Sequence, residues 1–337
     1  MKEAEHYFYQ KAYCEGKNER EKWIPELIED MRKEGIEHKV LDDLQKKASS
    51  YGYKRSNSIF FHELIEHYLK IERKSEIHVI IDSMWFGLWD STEKKNAAVY
   101  NQVFFDDSIL VQFSTELEIL MRKVTEIFCT VDLYELMLDN CLPENLINQM
   151  VEIEIHDIEN EEEERGVIEY LFQLPEEIYR FYNMIFSNAF KGACAFVLFH
   201  EVGHKLEVNS EIAKYFGIES STQTTDSHRK DMMKEWNADN ISIQILIKMF
   251  GGNDATDWMF YSGILIAFMA LAINSHSLFE DTNHPALKNR YREAKNVIDK
   301  QLSKFDSESI EYRLNIVGDK LNKVAKWGGK KWWVMKE

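Results

Sequence analysis

The stretch LFHEVGHKLEVN, residues 198–209, decides how the second half of this chain is expected to fold. An α-helix turns about 100° per residue, so positions four apart lie roughly 40° from each other on its surface. His200 and His204 therefore project from one helix face, close enough for both imidazoles to reach one tetrahedral metal ion. Glu201, next to the first histidine, can accept a proton from water at that metal.

The HExxH spacing is the arrangement of zinc hydrolases, and its surroundings strengthen the prediction. The apolar run ACAFVLF, 193–199, is typical of a helix buried beneath a metal site. Gly203 predicts free space beside the metal, where a side chain would intrude. The alternative, two surface histidines on an ordinary helix, fits poorly with seven apolar residues directly before them.

A similar stretch, FFHELIEHYL at 60–69, does not have the same geometry. His62 and His67 are five residues apart, which places them about 140° apart around a helix. Glu66 occupies the position that a second ligand would need. This earlier stretch is therefore not expected to hold a metal.

A catalytic zinc takes a third protein ligand and keeps an open position. Ser210 stands six residues after His204, so the metzincin pattern with a third histidine is absent. Glu207, in the next turn, is the weaker candidate. Glu235 on a second, crossing helix is the stronger one, and Asp239 one turn later could bind the distal nitrogen of a ligand histidine. The alternative is that both are solvent-facing acids of an amphipathic helix.

HEVGH at 200–204, EWNAD at 235–239 and HPALKNR at 284–290 together resemble the gluzincin order HExxH…ExxxD…HPxxxxR. This order is similar to that of the HtpX-like and CAAX prenyl zinc peptidases and, in looser form, of the Lit phage-exclusion peptidases. Lit is the better match, because paired membrane spans are not evident here. The ImmA/IrrE regulatory peptidases share HExxH and a following helix. The resemblance covers roughly residues 185–295.

The resemblance implies one set of site residues: His200, His204 and Glu235 as zinc ligands, Glu201 as general base, and Asp239 orienting a ligand. It also places His284 and Arg290 near the substrate carbonyl, where a donor or cation stabilises an oxyanion. The alternative for these two is a turn residue before a proline and an exposed helix cation. The chain departs from the usual pattern at Trp236 and Asn237, where smaller or acidic residues are typical.

Composition limits the classes of partner and compartment. A net charge of −17 over 337 residues argues against a nucleic-acid backbone as the main partner. Four scattered cysteines without a CxxC pair predict neither a disulfide framework nor a cysteine zinc site, which favours a reducing cytoplasm. The first residues lack the apolar core of a signal peptide.

The predicted fold class is α+β, with two domains. Residues 1–160 are expected to form an α+β domain with a small sheet, and residues 165–337 a mainly helical, zincin-like catalytic domain. The acidic run 156–166 predicts the linker between them. Apolar spacing predicts helices up to about residue 75, and β-branched and aromatic residues predict strands within 76–89 and 97–113.

Two later segments each allow two structural interpretations. Residues 258–279 are uncharged and long enough to span a bilayer, but a helix buried in the protein core gives the same pattern and is the preferred prediction. The polar stretch 217–230 predicts a surface loop between the two ligand helices, with a flap over the cleft as the alternative.

The sequence thus predicts a cytoplasmic zinc-dependent endopeptidase that cleaves a protein or peptide substrate, with Zn²⁺ as cofactor and the N-terminal domain selecting the substrate. No nucleic-acid or membrane partner is expected, and the oligomeric state is not predicted. A role in phage defence or regulation follows from the resemblance alone. The alternatives are a regulatory binding protein with a zincin fold and little turnover, or a membrane-embedded zinc peptidase.

Overall fold

The structure is a computed structural model and describes ten segments of the chain: residues 3–4, 7–8, 55–89, 97–99, 107–137, 144–160, 174–223, 225–252, 257–275 and 285–322. They divide into two compact units, Met1–Glu116 and Leu117–Glu337. The described residues are mostly helical with one small sheet, which agrees with the predicted α+β class in its coarse form. The domain boundary predicted at 160–165 does not coincide with the division between the units, and the separate roles of two domains stay a prediction.

The first unit contains a three-stranded sheet. Its elements are α1 (Ile59–Ile71), α2 (Ser75–Ser83), β1 (Met84–Trp89), β2 (Ala97–Val99) and β3 (Ile109–Ser114). The central strand is β3, which pairs with β1 in parallel and with β2 in antiparallel orientation. Trp85, Phe86 and Phe113 are almost fully buried, and the Phe61 ring of α1 lies 5.0 Å from that of Phe113. The aromatic residues of the sheet therefore form the core of this unit.

The strand predicted over 76–89 is wrong in its first half, because residues 75–83 form helix α2. Ile77 and Ile81, four residues apart, are both fully buried, so the apolar pattern here has the period of a helix. Strand preference of β-branched residues reflects packing on a sheet more than the backbone itself, and here the packing favours a helix. The predicted strand positions 100–106 and the helical positions predicted over residues 9–54 lie outside the described residues.

The histidines of α1 confirm that the earlier stretch lacks metal-site geometry. His62 is buried, whereas His67 is exposed, so the two side chains lie on different faces of the helix. Glu66, between them, pairs with Arg55 at 2.5 Å. One ion could not be bound by both imidazoles.

The second unit is helical throughout its described residues. Its elements are α3 (Thr115–Met137, beginning in the first unit), α4 (Glu144–Asn160), α5 (Glu176–Leu206), α6 (Ser210–Tyr215), the 3₁₀ turn Ser221–Gln223, α7 (Ser227–Phe250), α8 (Asp257–Ser275), α9 (Leu287–Asp299) and α10 (Lys304–Leu321). The loop predicted from residue 156 is wrong up to residue 160, because α4 continues through it. Glu154 and Asp157 are buried on one face of α4, and this buried face keeps the acidic segment helical.

Helix α5 is the centre of this unit, and α7 and α8 pack along it. A Cβ atom on Gly192 would lie 2.1 Å from the Phe260 carbonyl oxygen, and one on Gly263 would lie 1.9 Å from that of Ala189. The two glycines therefore allow the backbones of α5 and α8 to touch. By length and composition α8 could cross a membrane, but 78% of its apolar 18-residue window is buried within the protein.

A group of ionisable residues is buried between α3 and α4. The Lys123 ammonium lies 3.8 Å from a carboxylate oxygen of Asp157, and the carboxyl groups of Glu126 and Glu154 are neighbours whose charges influence each other. Burial raises the pKa of both glutamates, and the neighbouring Glu126 charge raises the pKa of Glu154 further, to about 10. Two adjacent buried carboxyl groups cannot both be ionised cheaply, so Glu154 holds a proton at neutral pH.

Replacing Glu154 by glutamine should stabilise the protein at alkaline pH. Folding raises the pKa of Glu154 from its ordinary 4.5 to about 10, so the native state binds more protons than the unfolded state between these values. Stability from this group is therefore fully present below about pH 4.5 and is lost as the pH rises towards 10. The amide keeps a hydrogen-bond donor and does not titrate. Its melting temperature should exceed that of the wild type at about pH 9 and match it near pH 4.5.

The control is Glu152→Gln, an exposed glutamate of the same helix. It removes the same formal charge. The difference in its melting temperature between the two pH values should equal that of the wild type. If the melting temperatures of wild type and Glu154→Gln depend on pH in the same way, Glu154 does not hold a proton at neutral pH.

Candidate metal centre

Two histidines and a glutamate of α5 form the start of the site. His200 is 8% and Glu201 7% exposed, and the His200 and His204 rings lie 4.6 Å apart at 80° to each other. Possible ligand atoms of these three residues all lie within 4.8 Å of one another. Among the described residues, this group of histidine and acidic side chains is the one whose possible ligand atoms lie this close together. The cluster could hold a metal ion.

Helix α7 adds Glu235 to the cluster. One Glu235 carboxylate oxygen lies 3.5 Å from His200 Nε2, and the other lies 3.5 Å from His204 Nε2. A tetrahedral ion with bonds of 2.0–2.1 Å separates its ligand atoms by about 3.4 Å. The Glu235 carboxylate therefore lies close enough to both imidazoles to take part in holding a metal ion with them. Glu201 and Glu235 both reach the cluster, and each oxygen of Glu235 lies beside a different imidazole.

Asp239, one turn after Glu235 on α7, fixes the orientation of the His200 ring. His200 Nδ1 donates to Asp239 Oδ1 at 2.8 Å, which leaves Nε2 directed at the Glu235 carboxylate. A carboxylate that accepts from the distal nitrogen sets the tautomer of a ligand histidine and increases its basicity.

Arg290 of α9 lies against the two acidic residues of α7. Its Nε and Nη2 donate to Asp239 at 2.7 and 2.8 Å, and its Nη1 lies 2.9 Å from Glu235 Oε2. All three guanidinium nitrogens thus contact a carboxylate, in a side chain that is almost fully buried. In the structure Arg290 is thus a partner of the two acidic residues of α7. The contact with a substrate carbonyl that the resemblance implies for Arg290 stays a prediction, and His284 lies outside the described residues.

These contacts shift the pKa values of the two histidines in opposite directions. Burial alone would lower the pKa of His200, but hydrogen bonds to Asp239 and Glu235 and their charges raise it to about 10. Burial and the charge on His200 lower the pKa of His204 to about 3. For Glu235 and Asp239, burial is outweighed by the cationic groups beside them, so their pKa values lie below the ordinary range. Without a metal, these shifts favour a protonated His200 beside a neutral His204, and a metal would displace the extra proton of His200.

Gly203 has a different role from the one expected from sequence. A Cβ atom there would lie 2.9 Å from both the Cα and the carbonyl oxygen of Ala238 on α7. The missing side chain lets the two ligand helices approach, whereas the prediction assigned the space to the metal. Ser242 Oγ, one turn beyond Ala238, donates to the Phe196 carbonyl at 2.8 Å and joins the same two helices.

Glu207 is a structural residue in this arrangement. It is fully buried, and its two carboxylate oxygens accept from the Ser221 hydroxyl at 2.7 Å and the Ser221 backbone N–H at 2.9 Å. Asn237 Nδ2 lies 3.3 Å from Glu207 Oε2 and donates to the Glu219 carbonyl at 2.8 Å. Asn237, one of the two departures from the family pattern, therefore fixes the segment before α7. The other, Trp236, is 46% exposed.

The loop predicted over 217–230 is partly wrong. Residues 221–223 form a 3₁₀ turn, and α7 already begins at Ser227, with Asp226 accepting from the Arg229 backbone N–H as its N-cap. The capping aspartate explains the early helix start, since side chains of this type satisfy the free N–H groups of a first turn.

Residues 158–306 match the model of a protein family described as Peptidase U49. The match covers less than half of the chain, but it contains every described residue of the cluster, from His200 to Arg290. It supports a peptidase function, and with it a protein substrate, as the resemblance to Lit peptidases implies. Comparison with curated proteins and with solved structures gives no significant match.

Replacing Gly203 by alanine should weaken both the fold and the metal site. The added methyl group would meet backbone atoms of Ala238, so α5 and α7 must separate. Overpacking of this kind costs about 1–3 kcal/mol, partly offset by the better helix propensity of alanine, about 1 kcal/mol. Chemical denaturation should show a lower free energy of unfolding, and titration with zinc a lower affinity.

Gly252→Ala is the matched control, because a Cβ at this exposed position meets no atom within 4 Å. It should leave both measurements close to wild type. A Gly203→Ala variant with wild-type zinc affinity would mean that close approach of the two helices is not required at the site.

Proposed function

We propose that this chain is a zinc-dependent endopeptidase. The family match supports a peptidase, and one geometric observation supports the metal. His200 Nε2 lies 3.5 Å from one Glu235 carboxylate oxygen and His204 Nε2 lies 3.5 Å from the other, so all three side chains converge on one small space. Two imidazoles and one carboxylate are a usual protein ligand set of catalytic zinc.

In this proposal His200, His204 and Glu235 hold the metal. Bound there, zinc would act as a Lewis acid that polarises the substrate carbonyl and makes water a stronger acid. Imidazole nitrogens and carboxylate oxygens suit zinc better than magnesium or calcium, which take oxygen ligands.

Glu201 is the proposed general base. It follows His200 directly, is almost fully buried, and lies within the same cluster. Its carboxylate accepts a proton from the water whose oxygen adds to the peptide carbonyl carbon. The same carboxyl group then donates that proton to the amide nitrogen, and the carbon–nitrogen bond breaks.

Asp239 and Arg290 position the ligands. Asp239 holds the proton of His200 Nδ1, so that Nε2 keeps its lone pair for the metal. Arg290 binds Asp239 with two parallel hydrogen bonds and holds one oxygen of Glu235, which limits repulsion between these two carboxylates.

A cytoplasmic location is part of the proposal and is supported by the cysteines. Cys129 and Cys194 are buried and form no disulfide, and the pKa of the Cys194 thiol is raised by burial, which makes it unreactive. A role in phage defence or regulation would extend the resemblance to Lit peptidases.

The variants Glu201→Gln and Glu235→Gln should separate the base from the ligand. Wild type is expected to bind about one zinc ion per chain. Glu201→Gln should retain it, because an amide of the same shape leaves the ligands in place, while cleavage of a protein substrate falls by about two to four orders of magnitude. Glu235→Gln should lose zinc affinity as well, because a charged ligand is removed. Elemental analysis and cleavage rate measure the two effects.

The opposite pattern, zinc lost from Glu201→Gln and kept by Glu235→Gln, would exchange the two roles. Wild-type protein without a transition metal after purification free of chelators would contradict the metal proposal altogether. Bound zinc without any cleavage, in turn, would favour the regulatory binding protein.

A further inference from the structure

The Phe268 ring on α8 connects the apolar core of the second unit to the metal cluster. The side chain is fully buried, and its ring centre lies 5.8 Å from the guanidinium carbon of Arg290 on α9. The Phe196 ring on α5 lies 4.8 Å from the Phe268 ring and 6.2 Å from the ring of His200, measured between ring centres. One side chain of α8 therefore adjoins two of the helices that carry the cluster.

The same ring contacts Arg290 and its neighbour Tyr291 at the beginning of α9. The Tyr291 ring lies 6.4 Å away at 90°, the edge-to-face arrangement that aromatic pairs favour. A cation is attracted to the face of an aromatic ring, most strongly where water is excluded. Because the nitrogens of Arg290 contact Asp239 and Glu235, the ring adds a contact that these carboxylates do not provide. Phe268 therefore helps to fix the beginning of α9 and its guanidinium group.

The position of Arg290 affects the proposed metal ligand Glu235. Arg290 Nη1 lies 2.9 Å from Glu235 Oε2, and this oxygen lies 3.5 Å from His200 Nε2. A smaller side chain at position 268 would leave a cavity beside the guanidinium, and buried groups relax partly into such cavities. The Glu235 carboxylate would then move with Arg290 or lose this ion pair. Loss of a partner behind a metal ligand typically lowers metal affinity by about 10–100-fold.

We propose that Phe268 is a positioning residue of the metal centre, which holds the Arg290 guanidinium against Asp239 and Glu235 and so keeps the Glu235 carboxylate beside the two imidazoles. This inference rests on the proposed zinc endopeptidase and adds to its site a residue of α8, the helix that joins α5 through Gly192 and Gly263. Phe268 acts through Arg290 and takes no part in the proton transfers.

The test compares Phe268→Leu with Phe260→Leu, the same substitution about two turns earlier in α8. Phe260 is 3% exposed, and its ring lies 4.1 Å from that of Phe250 and 6.1 Å from that of Tyr261, which makes it a matched core residue. Both variants should lower the melting temperature of the metal-free full chain. Only Phe268→Leu should also lower the affinity for zinc, by about tenfold in competition with a chromophoric chelator. It should likewise change the visible absorption of the cobalt-substituted protein, which reports ligand geometry.

A double variant shows whether Phe268 acts through Arg290. Arg290→Lys keeps the positive charge but loses the fork of nitrogens that holds the two carboxylates, so its zinc affinity should already be reduced. Adding Phe268→Leu to Arg290→Lys should then lower the affinity by less than about twofold, because the effects of residues that act through one another do not add. If Phe268→Leu does not fold, Phe268→Met, whose flexible side chain fills more of the space, should show the same loss of affinity.

The results separate this inference from the proposed function. Equal zinc affinities of Phe268→Leu and Phe260→Leu would overturn the role of Phe268 and leave the zinc endopeptidase in place. The same holds if Phe268→Leu lowers the affinity equally in the wild-type and Arg290→Lys backgrounds. If the wild type binds no zinc, the proposed function itself fails, and the role of Phe268 falls with it.

Discussion

The carboxylate of Asp239 is the point on which the arrangement of the metal cluster depends. It accepts hydrogen bonds from His200 on α5 and from two nitrogens of Arg290 on α9, and it stands itself on α7. Because the group is buried, each of these donors is needed to compensate for its lost hydration. A single buried carboxylate thus ties three helices together and, one turn away, sets the position of Glu235.

Close backbone contacts make this interaction possible. Side chains as short as those of histidine and aspartate can meet only if their helices nearly touch, and Gly203 opposite Ala238 provides this approach. The same device recurs where Gly192 and Gly263 join α5 to α8. The glycines of α5 thereby determine which helices lie beside the HExxH motif, and the polar residues then determine how those helices are aligned.

Helical periodicity alone predicts part of the site from the sequence. It predicted that His200 and His204 share a face and that His62 and His67 do not, because these statements need only the angle per residue. Glu235 and Asp239 were candidates on the expectation of a second, crossing helix and on the family resemblance, and the structure brings both to the same cluster.

Contacts between distant segments could not be predicted in this way. Glu207 was a candidate ligand by its distance in sequence, yet its partners are Ser221 and Asn237, 14 and 30 residues away. No periodic pattern marks such a pairing. The helix at 75–83 was missed for a related reason, since residue preferences for strands are decided by tertiary packing. Gly203 was correctly singled out, but whether its space belonged to the metal or to Ala238 depended on where α7 crosses.

The charges of the cluster explain why a divalent metal fits it. Arg290 contributes one positive charge, and the carboxylates of Glu201, Glu235 and Asp239 contribute three negative charges if all are ionised, so the group without protons on its histidines carries a net charge of −2. Such an excess is costly in a buried site, and the metal-free protein reduces it by protonating His200. A dication in place of that proton would neutralise the excess fully. Arg290 thus leaves an excess of negative charge that one divalent ion could balance, which is consistent with the proposed zinc; in that proposal Glu201 is the carboxylate that accepts a proton.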